Sequence, residues 1–452
     1  MTDYLIRTRR NSSIETAKEG FEQKKLVWIA GRIIGLLDDG FVLQDESGRM
    51  DIVNYELLII NFQVGDIVEV KIESRLMRDH SGKEYTAFVA QELAILVPCK
   101  ADFFISKDSP NYLKMVIDQN LKERLTQRTV LIQKIRQFFC DQNFIEVETP
   151  ALVKLPGMEP YLDVFKTQFI SANPSDPAQD MYLNTSPEYA LKKLLVAGYE
   201  KIFQITKSFR NKETGGNLHN PEFTMIEWYR AYASYEEIMQ DVEGLVFNLA
   251  RFLHEKGLFT FNGLEIDCNP PWPRLKVKDA FKKYADVSYE DFEDLEKFRK
   301  IAQKKGYNVD VHTPYEDIFF MIFMNEIEPK LGLDKPVILF DYPASMAALS
   351  KKCPDDPRYA QRFEVYIAGM ELCNAFTELN DPVEQRQRLE HERKERQKLG
   401  KDDYPVDQSF VSALEFGMPP SGGIALGVDR LIMLLTNTPD IRNILFFPHQ
   451  DL

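Results

Sequence analysis

The spacing of apolar and polar residues divides the chain into regions of different periodicity. Residues 1–25 are polar and of mixed charge, which predicts a short helix or a loosely held arm. From residue 26 to residue 98 short apolar runs alternate with turn signals such as DDG and ESG. This pattern is typical of β-strands, and it predicts five of them: LVWIAGRIIGL, FVLQD, RMDIV, GDIVEVKIESRLM and YTAFVAQELAIL.

Five short strands within residues 26–98 suit a small closed barrel of the oligonucleotide-binding type, although an SH3-like barrel or another small β domain has a similar pattern. Residues 99–127 are predicted to be a connector, and residues 128–452 a second, larger domain. There, Arg128 to Phe139 has the apolar spacing of a helix, and later segments mix helices and strands. The chain as a whole is therefore predicted to be α+β.

Composition and charge narrow the functional classes. No apolar run approaches the roughly 20 residues that span a membrane, and no signal pattern opens the chain, so we expect a cytoplasmic protein without a membrane partner. Its five cysteines form no CxxC pair, which favours reduced thiols over disulfides or zinc. A net charge of −14 excludes indiscriminate attraction to nucleic acid. The charged run at residues 384–403 predicts a solvated surface helix, with a nucleic-acid contact as the alternative.

A strand–loop–strand unit at residues 202–232 carries the first candidate chemistry. IFQITKSFR ends in Arg210, a polar loop with glycines follows, and Phe223 opens the second strand. Arg210 can form paired hydrogen bonds with a phosphate. His219 can reach an outer phosphate, and Phe223 can stack on a flat base. This unit predicts a nucleotide site.

Three further segments carry weaker signals. The segment 421–435, SGGIALGVDRLIMLL, predicts a glycine-rich turn leading into a helix that begins near Arg430. Glu364 and Glu371 lie in a predicted strand–turn–strand, where both can face one side and hold Mg²⁺ between ATP phosphates. Two ordinary surface glutamates would have the same spacing. Residues 138–153, FFCDQNFIEVETPALV, predict a helix–strand unit that many α+β proteins contain.

Together, residues 138–153, 202–232 and 421–435 resemble motifs 1, 2 and 3 of class II aminoacyl-tRNA synthetases, in order and with suitable spacing. HNPEFTMIEWY and ELCNAFTELNDP resemble the two most recognisable stretches of the lysine branch. The resemblance spans about residues 110–450. It implies an antiparallel sheet flanked by helices, a bent ATP on that sheet, and an ATP-dependent, AMP-forming ligase that activates a lysine-type amino acid. It also implies a homodimer built on motif 1.

The resemblance assigns roles to individual residues. Arg210 would grip the α-phosphate and His219 an outer phosphate, Phe223 and Arg430 would sandwich adenine, and the two arginines would be catalytic. Glu364 and Glu371 would hold Mg²⁺, and Glu188 would bind the α-amino group. Glu227 and Glu378 would be the counter-charges of the side-chain ammonium, because an unpaired buried charge is costly. The whole amino-acid pocket would comprise Ser186, Glu188, Glu227, Tyr229, Asn374, Phe376, Glu378 and Ala425.

One position departs from the family pattern. The family usually has glutamate two residues after the motif 2 arginine, whereas this chain has Lys212 there and Glu213 next. Either Glu213 takes over that role in ATP binding, or the adenine contact is altered.

Two branches of the family differ in the acceptor of the activated amino acid. Lysyl-tRNA synthetases charge tRNA(Lys), whereas a truncated paralogue transfers a lysine-type amino acid to a lysine of elongation factor P. Ser186, Trp228 and Ala425 resemble the paralogue, and Ser186 and Ala425 would reshape the pocket to suit β-lysine. The sequence analysis therefore favours elongation factor P as acceptor and lysine or β-lysine as substrate, with tRNA(Lys) as the alternative.

The barrel argues for that alternative, because the paralogue normally lacks it. AGRI, FVLQD, SGR and QEL resemble the anticodon-binding barrel of the synthetase, and Arg32, Phe41 and Glu92 fall close to its base-reading positions. However, Asp51 stands where an amide is expected, and residues 26–98 carry 6 basic and 12 acidic side chains. An acidic barrel is a poor electrostatic host for an anticodon.

Overall fold

The computed structural model describes residues 8–19, 26–53, 62–78, 83–100, 105–106, 108–213 and 216–452. It contains two compact units, Met1–Gln119 and Asn120–Leu452. Of the predicted arm at residues 1–25, the structure describes residues 8–19 only, and these include a short helix. Across the described ranges, every helix is too short or too polar to cross a membrane.

The first unit contains the predicted barrel. Its strands pair in the order β1-β2-β3-β5-β4 and close on themselves, which confirms the five strands and the barrel predicted from the sequence. The described residues of this unit include helices α1 (Ile14–Glu19) and α2 (Asn111–Ile117). The strands are β1 (Val27–Leu37), β2 (Gly40–Gln44), β3 (Arg49–Val53), β4 (Ile67–Arg78) and β5 (Glu84–Val97).

Buried and partly exposed side chains alternate along β2. Only the exposed side chains of the barrel can contact a partner. Phe41 is completely buried in the barrel core and packs edge-on against Phe62, with ring centroids 5.0 Å apart. The prediction that Phe41 lies at a base-reading position is therefore wrong, since a buried ring cannot stack on a base. Arg32 donates to the carbonyl of Gly65 (2.6 Å), and Glu92 pairs with Lys71 (2.7 Å).

The second unit is built around a large sheet with helices. Its helices are α3 (Gln119–Asp141, whose first residue closes the barrel unit), α4 (Glu188–Val196), α5 (Tyr235–Leu253), α6 (Val277–Ala285), α7 (Tyr289–Phe292), α8 (Leu295–Lys304), α9 (Tyr315–Ile322), α10 (Pro382–Lys398), α11 (Gln408–Gly417) and α12 (Val428–Leu435). Short helical turns occur at Phe323–Ile327, Glu328–Lys330, Ala344–Met346, Ile441–Ile444 and His449–Asp451.

The strands of this unit are β6 (Ile145–Glu146), β7 (Leu152–Val153), β8 (Lys166–Phe169), β9 (Gln179–Leu183), β10 (Lys201–Phe209), β11 (Glu222–Ala231), β12 (Leu258–Phe261), β13 (Leu264–Asp267), β14 (Arg274–Lys276), β15 (Val337–Pro343), β16 (Tyr359–Ile367), β17 (Met370–Thr377) and β18 (Ser421–Gly427). Eight of them form the central sheet in the order β14-β15-β16-β17-β18-β11-β10-β6. All neighbours in this sheet are antiparallel except β14 with β15 and β6 with β10. The predicted antiparallel sheet flanked by helices is thereby confirmed.

The two faces of the central sheet have different surroundings because successive side chains of a strand point to opposite sides. Ile226 and Trp228 of β11 and Ile424 of β18 are buried in the core that includes residues of α3, α5 and α12. The alternate residues, including Glu227 and Ala425, point to the other face. The first face is thus covered by helices. The other face is only partly covered, by residues of α4 and α11, and the part that stays open, called the free face, leaves room for a site.

Two sequence predictions need correction here. The segment SGGIALG was predicted to be a turn, but it is strand β18 in the middle of the sheet, paired with β11 and β17. The run 384–403 does form helix α10, yet this helix is not simply solvated: Leu389 and Arg396 are buried. Arg396 donates to the carbonyls of Glu159 and Leu162. Helix α10 packs through Gln385, Leu389 and Arg396 and not through a continuous apolar stripe. The apolar spacing of the sequence therefore did not predict this packing.

Candidate active site

A cavity of about 1380 Å³ opens on the free face of the central sheet. Fourteen of the fifteen predicted site residues line it; the exception is Glu364. The lining residues are Ser186, Glu188, Arg210, Glu213, His219, Phe223, Glu227, Tyr229, Glu371, Asn374, Phe376, Glu378, Ala425 and Arg430. Residues from distant parts of the chain thus meet in one place.

Strand register explains this convergence. Glu227 of β11 is the direct neighbour of Ala425 in β18, and Ala425 is the direct neighbour of Asn374 in β17. Residues two apart on a strand share a face, so Tyr229 and Phe376 point into the cavity as well. The pleat therefore aligns a row of polar side chains across three adjacent strands.

At one end of the cavity, the guanidinium of Arg210 lies close to an aromatic ring. The guanidinium carbon of Arg210 is 5.0 Å from the ring centroid of Phe223. Phe223 of β11 is the direct neighbour of Ser208 in β10, and Arg210 directly follows β10. The same hairpin therefore holds Arg210 and Phe223. The Nε of Arg210 is buried and has no hydrogen-bond partner among the described residues. A buried donor without a partner is costly, and a phosphate oxygen would satisfy it.

The second arginine joins the loop between β10 and β11 to strand β17. Arg430 donates from Nη1 to the carbonyl of Glu371 (2.8 Å), and its Nη2 is 3.1 Å from Nε2 of His219. Burial lowers the pKa of His219, and the positive charges of Arg430 and Arg210 lower it further while Glu213 opposes them. A neutral imidazole is therefore favoured at neutral pH, able to form hydrogen bonds beside two fixed positive charges.

The departure at Lys212 has a local structural explanation. Lys212 adopts a left-handed backbone conformation (φ 63°), and its Nζ pairs with Asp163 (2.9 Å). The carboxylate of Glu213 instead lies 3.6 Å from Nη1 of Arg210 and lines the cavity. Glu213 therefore occupies a position from which it can contact a ligand held by Arg210, whereas the ammonium of Lys212 is bound to Asp163.

A network behind the cavity wall holds the two halves of this end together. Arg128 of α3 pairs with Asp429 (2.5 Å) and donates to the hydroxyl of Thr224 (2.8 Å). Asp429 also accepts the backbone N–H of Thr224 (2.7 Å). Thr224 follows Phe223 and Asp429 precedes Arg430, so this buried network fixes the ring and the guanidinium relative to each other. The sequence analysis missed it; the acidic residue directly before Arg430 was the available signal.

The acidic pair predicted to hold Mg²⁺ lies on neighbouring strands, β16 and β17, with unequal surroundings. Glu364 accepts hydrogen bonds from Tyr342 (2.6 Å), Tyr366 (2.5 Å) and Arg362 (2.6 Å). A carboxylate has about four acceptor sites, so one remains. Burial raises the pKa of Glu371, and the charge of Glu364 raises it further.

Together, Glu364 and Glu371 fit a cation bound mainly by Glu371. Within the described residues, no group of three or more His, Cys, Asp or Glu side chains forms a metal site on its own. Mg²⁺ in nucleotide sites is usually held by one or two carboxylates together with phosphate oxygens. The donor set is therefore suited to a metal that arrives with a polyphosphate.

The other end of the cavity is lined by carboxylates. Glu227 is completely buried, accepts a hydrogen bond from Ser186 (2.5 Å) and one from Tyr229 (3.1 Å). Burial raises the pKa of Glu227 to about 8, and the nearby charge of Glu188 adds to the rise. A buried carboxylate of this kind is stabilised in its ionised form by a bound cation.

A lysine that the sequence analysis missed lies behind this end. Lys192 of α4 is completely buried, and its Nζ is 2.5 Å from Glu188 and 2.6 Å from Glu378. Burial raises the pKa of Glu378 to about 7, against the lowering effect of Lys192 and with a further rise from Glu188. The available signal was a lysine between Leu191 and Leu195 on an apolar helix face, four residues after a glutamate.

Gly423 of β18 leaves the space for this acidic slot. A Cβ at that position would lie 2.3 Å from Oε1 of Glu378 and 2.3 Å from the ring of Tyr229. No side chain fits there without displacing a wall of the slot. Gly423 is thus required by the close approach of these two side chains and not by a turn.

The cavity extends beyond Glu188 into a second acidic region formed by Glu159 and Glu392. Burial raises the pKa of Glu159. Burial also raises the pKa of Glu392 to about 8, and the nearby charges of Glu159 and Glu188 add to that rise. Among the described residues, no lysine or arginine forms an ion pair with either carboxylate. A bound ammonium group would favour the ionised form of these buried carboxyl groups.

The fold and the site define a class of protein. A largely antiparallel sheet carrying paired arginines and a stacking ring at one end, and an acidic amine slot at the other, is the arrangement of a class II, ATP-dependent ligase. Residues 107–451 match the family described as tRNA synthetases class II (D, K and N). The chain belongs to this family.

Relatives with assigned names are similar over almost the whole chain. The lysine–tRNA ligase of Listeria monocytogenes is 37% identical over 99% of this chain and 93% of its own length. That of Moorella thermoacetica is 34% identical over 93% of this chain and 88% of its own length. The lysine–tRNA ligase of Bacillus subtilis is 34% identical over 96% of this chain and 89% of its own length. These names fit the tRNA alternative better than the elongation factor P acceptor favoured by the sequence analysis, which they do not confirm.

Proposed function

We propose that this protein activates lysine with ATP to give lysyl-adenylate and transfers the lysyl group to tRNA(Lys). The observation that carries the proposal is the single cavity with cations at one end and buried carboxylates at the other. The similarity to lysine–tRNA ligases over both the barrel and the sheet unit supports tRNA as the acceptor.

In the proposed activation step, the carboxylate of lysine attacks the α-phosphorus of ATP, a new C–O–P linkage forms, and pyrophosphate leaves. Arg210 would contact the α-phosphate, with Glu213 supporting ATP binding, and His219 would contact an outer phosphate. Phe223 and Arg430 would bind adenine between them. Because Arg430 also contacts His219, it would lie close to both the adenine and the outer phosphates. Positioning and charge neutralisation supply most of such catalysis.

The lysine would lie along the row of polar residues across β11, β18 and β17. Glu188 would bind the α-amino group, and Glu227 and Glu378 would bind the side-chain ammonium. Tyr229, Asn374 and Phe376 would surround its methylenes, with Ser186 and Ala425 shaping the α-amino end. Mg²⁺, held by Glu371 and with one acceptor site of Glu364, would neutralise phosphate charge when bound.

A homodimer is part of the proposal. In the segment that resembles motif 1, Ile145 of β6 is 51% exposed and Leu152 of β7 is 42% exposed. Strand β6 is an edge of the central sheet, and exposed apolar residues at an edge are typical of an association surface. A cytoplasmic location is proposed with it.

The test begins with lysine-dependent exchange of labelled pyrophosphate into ATP. Purified protein is then supplied with ATP and labelled lysine, and bulk tRNA, elongation factor P or buffer is added separately. Label that becomes precipitable with tRNA supports the proposal, and loss of that label in an Arg210→Ala control ties it to the site. Exchange without transfer to tRNA would contradict the acceptor, and no exchange with lysine would contradict the whole proposal.

A second candidate acceptor, the lysine side chain of elongation factor P, is favoured by a specific observation. The acidic region of Glu159 and Glu392 lies on the cavity wall beside Glu188, where a protein ammonium would be bound by the ionised carboxylates. Ser186 and Ala425 are both in the wall, as a β-lysine pocket would require. The same experiment, repeated with labelled β-lysine, tests this candidate: label on elongation factor P that is strongest with β-lysine would support it, and label on tRNA alone would contradict it.

A further inference from the structure

Lys192 is a buried charged group for which the proposed chemistry has no direct use. Its side chain is completely buried in α4, and it lies behind Glu188 and Glu378 and is not itself part of the cavity wall. Lysine is almost never fully buried unless it is paired. Its neighbour Lys193 is part-exposed and pairs with Asp407 (3.0 Å), so the helix carries two lysines in opposite situations.

The contacts of Lys192 link two walls of the amine slot. Its Nζ is 2.5 Å from Oε1 of Glu188 on the same helix and 2.6 Å from Oε2 of Glu378, which directly follows β17. Among the described residues, neither buried oxygen of Glu378 accepts a hydrogen bond of good geometry; Oε2 has the close ion-pair contact with Lys192, and Oε1 has none. That oxygen lies against the space above Gly423. Lys192 thus holds one oxygen of each carboxylate and leaves the other for a ligand.

The charges of the slot fit a substrate with two amino groups. Three carboxylates, Glu188, Glu227 and Glu378, and one ammonium, Lys192, have a formal charge of −2 when all are ionised. A diamino acid carries two ammonium groups. Without Lys192, Glu188 and Glu378 would repel each other in a site of low dielectric, where one of them would take up a proton.

We propose that Lys192 is a positioning residue that orients Glu188 and Glu378 and favours the ionised form of Glu378, so that the slot accepts a diamino acid. This inference rests on the proposed lysine activation and deepens it. The competing explanation is a structural ion pair that only ties α4 to the end of β17. A structural tie would affect melting temperature without changing how lysine binding depends on pH.

The test compares Lys192→Met with Lys193→Met, which removes an ammonium from the same helix. Pyrophosphate exchange is measured from pH 6 to pH 9, varying lysine and ATP separately. For Lys192→Met at pH 7 we expect KM for lysine to rise about 100-fold, with KM for ATP within twofold of wild type. We expect KM for lysine in Lys193→Met to stay within twofold.

The pH profile gives the readout that a structural role would not produce. The charged or titratable groups facing Glu378 are Lys192 and Glu188 of α4 and Glu227 and Tyr229 of β11. Loss of Lys192 removes the only positive charge in this set. Glu378 then holds its proton to higher pH, so the pH at which lysine begins to bind should rise by at least one unit.

If the methionine variant unfolds, a second variant, Lys192→Gln, keeps hydrogen-bond donors on an uncharged side chain one atom shorter than lysine, and the same rise in KM is expected. An unchanged KM for lysine and an unchanged pH profile in a folded variant would overturn the inference. So would unfolding of both Lys192 variants beside a folded Lys193→Met, because Lys192 would then be a structural tie. Absence of lysine-dependent exchange in the wild-type protein would instead overturn the proposed function.

Discussion

The two ends of the cavity solve opposite electrostatic problems with different means. At the nucleotide end, Arg210 and Arg430 keep their positive charge at any physiological pH, and burial with neighbouring positive charges favours a neutral His219. At the amine end, the carboxylates of Glu227 and Glu378 are completely buried and their pKa values are raised to about 8 and about 7. The first end is charged before any ligand arrives, whereas the second becomes fully charged only as it binds one.

This difference has a physical basis in the side chains themselves. Guanidinium is weakly hydrated and delocalised, so it tolerates partial burial as a cation. A carboxylate loses strong hydration and must be paired or take up a proton. Glu378 is paired with an internal ammonium, that of Lys192, which also contacts Glu188. Among the described residues, Glu227 has only the hydroxyl donors Ser186 and Tyr229. The contrast predicts that mutations and pH affect the two ends separately.

The largest effect is expected at the nucleotide end. Arg210→Ala removes a permanent charge from the proposed α-phosphate site, and loss of one such contact costs roughly 10²- to 10³-fold in rate. We expect kcat of pyrophosphate exchange to fall by about that factor, with an unchanged melting temperature because Arg210 is only half-buried.

The matched control is Lys207→Ala, in strand β10, which ends directly before Arg210; the ammonium of Lys207 forms an exposed pair with Glu222. Its exchange rate should stay within twofold of wild type. Equal losses in both variants would mean that the strand is merely destabilised and that Arg210 has no special role.

The next largest effect is expected for Glu378→Gln at the amine end. The change removes one of the proposed counter-charges, and loss of one member of a buried charge pair costs about 2–5 kcal/mol in binding. We expect KM for lysine to rise about 100-fold, while KM for ATP stays unchanged. Lys192 retains Glu188 as a partner, so activation should be weakened far more than folding, as thermal melting will test.

Glu384→Gln is the control for this substitution, since Glu384 pairs with Arg388 at the start of α10 and is not part of the cavity wall. A normal KM for lysine in Glu378→Gln would assign the ammonium to another carboxylate.

The effect of pH should be intermediate and should separate the two ends in the wild-type protein. Carboxyl groups with raised pKa values are protonated at pH 6 and lose their protons between about pH 7 and pH 8. An ammonium binds the ionised form, so KM for lysine should fall as pH rises from 6 to 8.5, by at most about tenfold per pH unit for each proton released.

KM for ATP serves as the internal reference, because guanidinium does not titrate in this range. A lysine KM that is flat between pH 6 and pH 8.5 would contradict the raised pKa values of Glu227 and Glu378. A parallel change in both constants would point to a global effect of pH.

The smallest effect is expected for Ala425→Gly, which removes one methyl group beside Glu227 and Asn374. One methylene in a binding pocket changes selectivity by about 10- to 200-fold, and a single methyl at the pocket edge should lie at or below the lower limit. We expect exchange with α-lysine relative to β-lysine to increase up to about tenfold.

Ala375→Gly provides the comparison, because Ala375 belongs to the core on the covered face of the sheet. It should lower stability without changing the ratio of the two substrates. An unchanged ratio in Ala425→Gly would remove the argument that this residue selects the isomer.

Much of the molecule follows from local patterns. Alternating apolar residues predicted all five barrel strands. The family resemblance, which rests on motifs 2 and 3 and on the segments around residues 186–188 and 371–378, predicted fourteen of the side chains that line the cavity. These features are readable because a strand with one buried face has a period of two, and because binding a phosphate or an ammonium restricts which residue types can be used.

The sequence by itself therefore determined the α+β architecture, the family and the types of residue at the site. Only the tertiary structure decided how those residues are paired: Lys192 with Glu188 and Glu378, Asp429 with Arg128, and Phe41 with the barrel core. Burial and ion pairing depend on which distant segments pack together, and side-chain sequence spacing does not encode that geometry. For the same reason, the glycines of β18 predicted a turn. The need for glycine at position 423 comes from Glu378 and Tyr229, which approach it only in the folded chain.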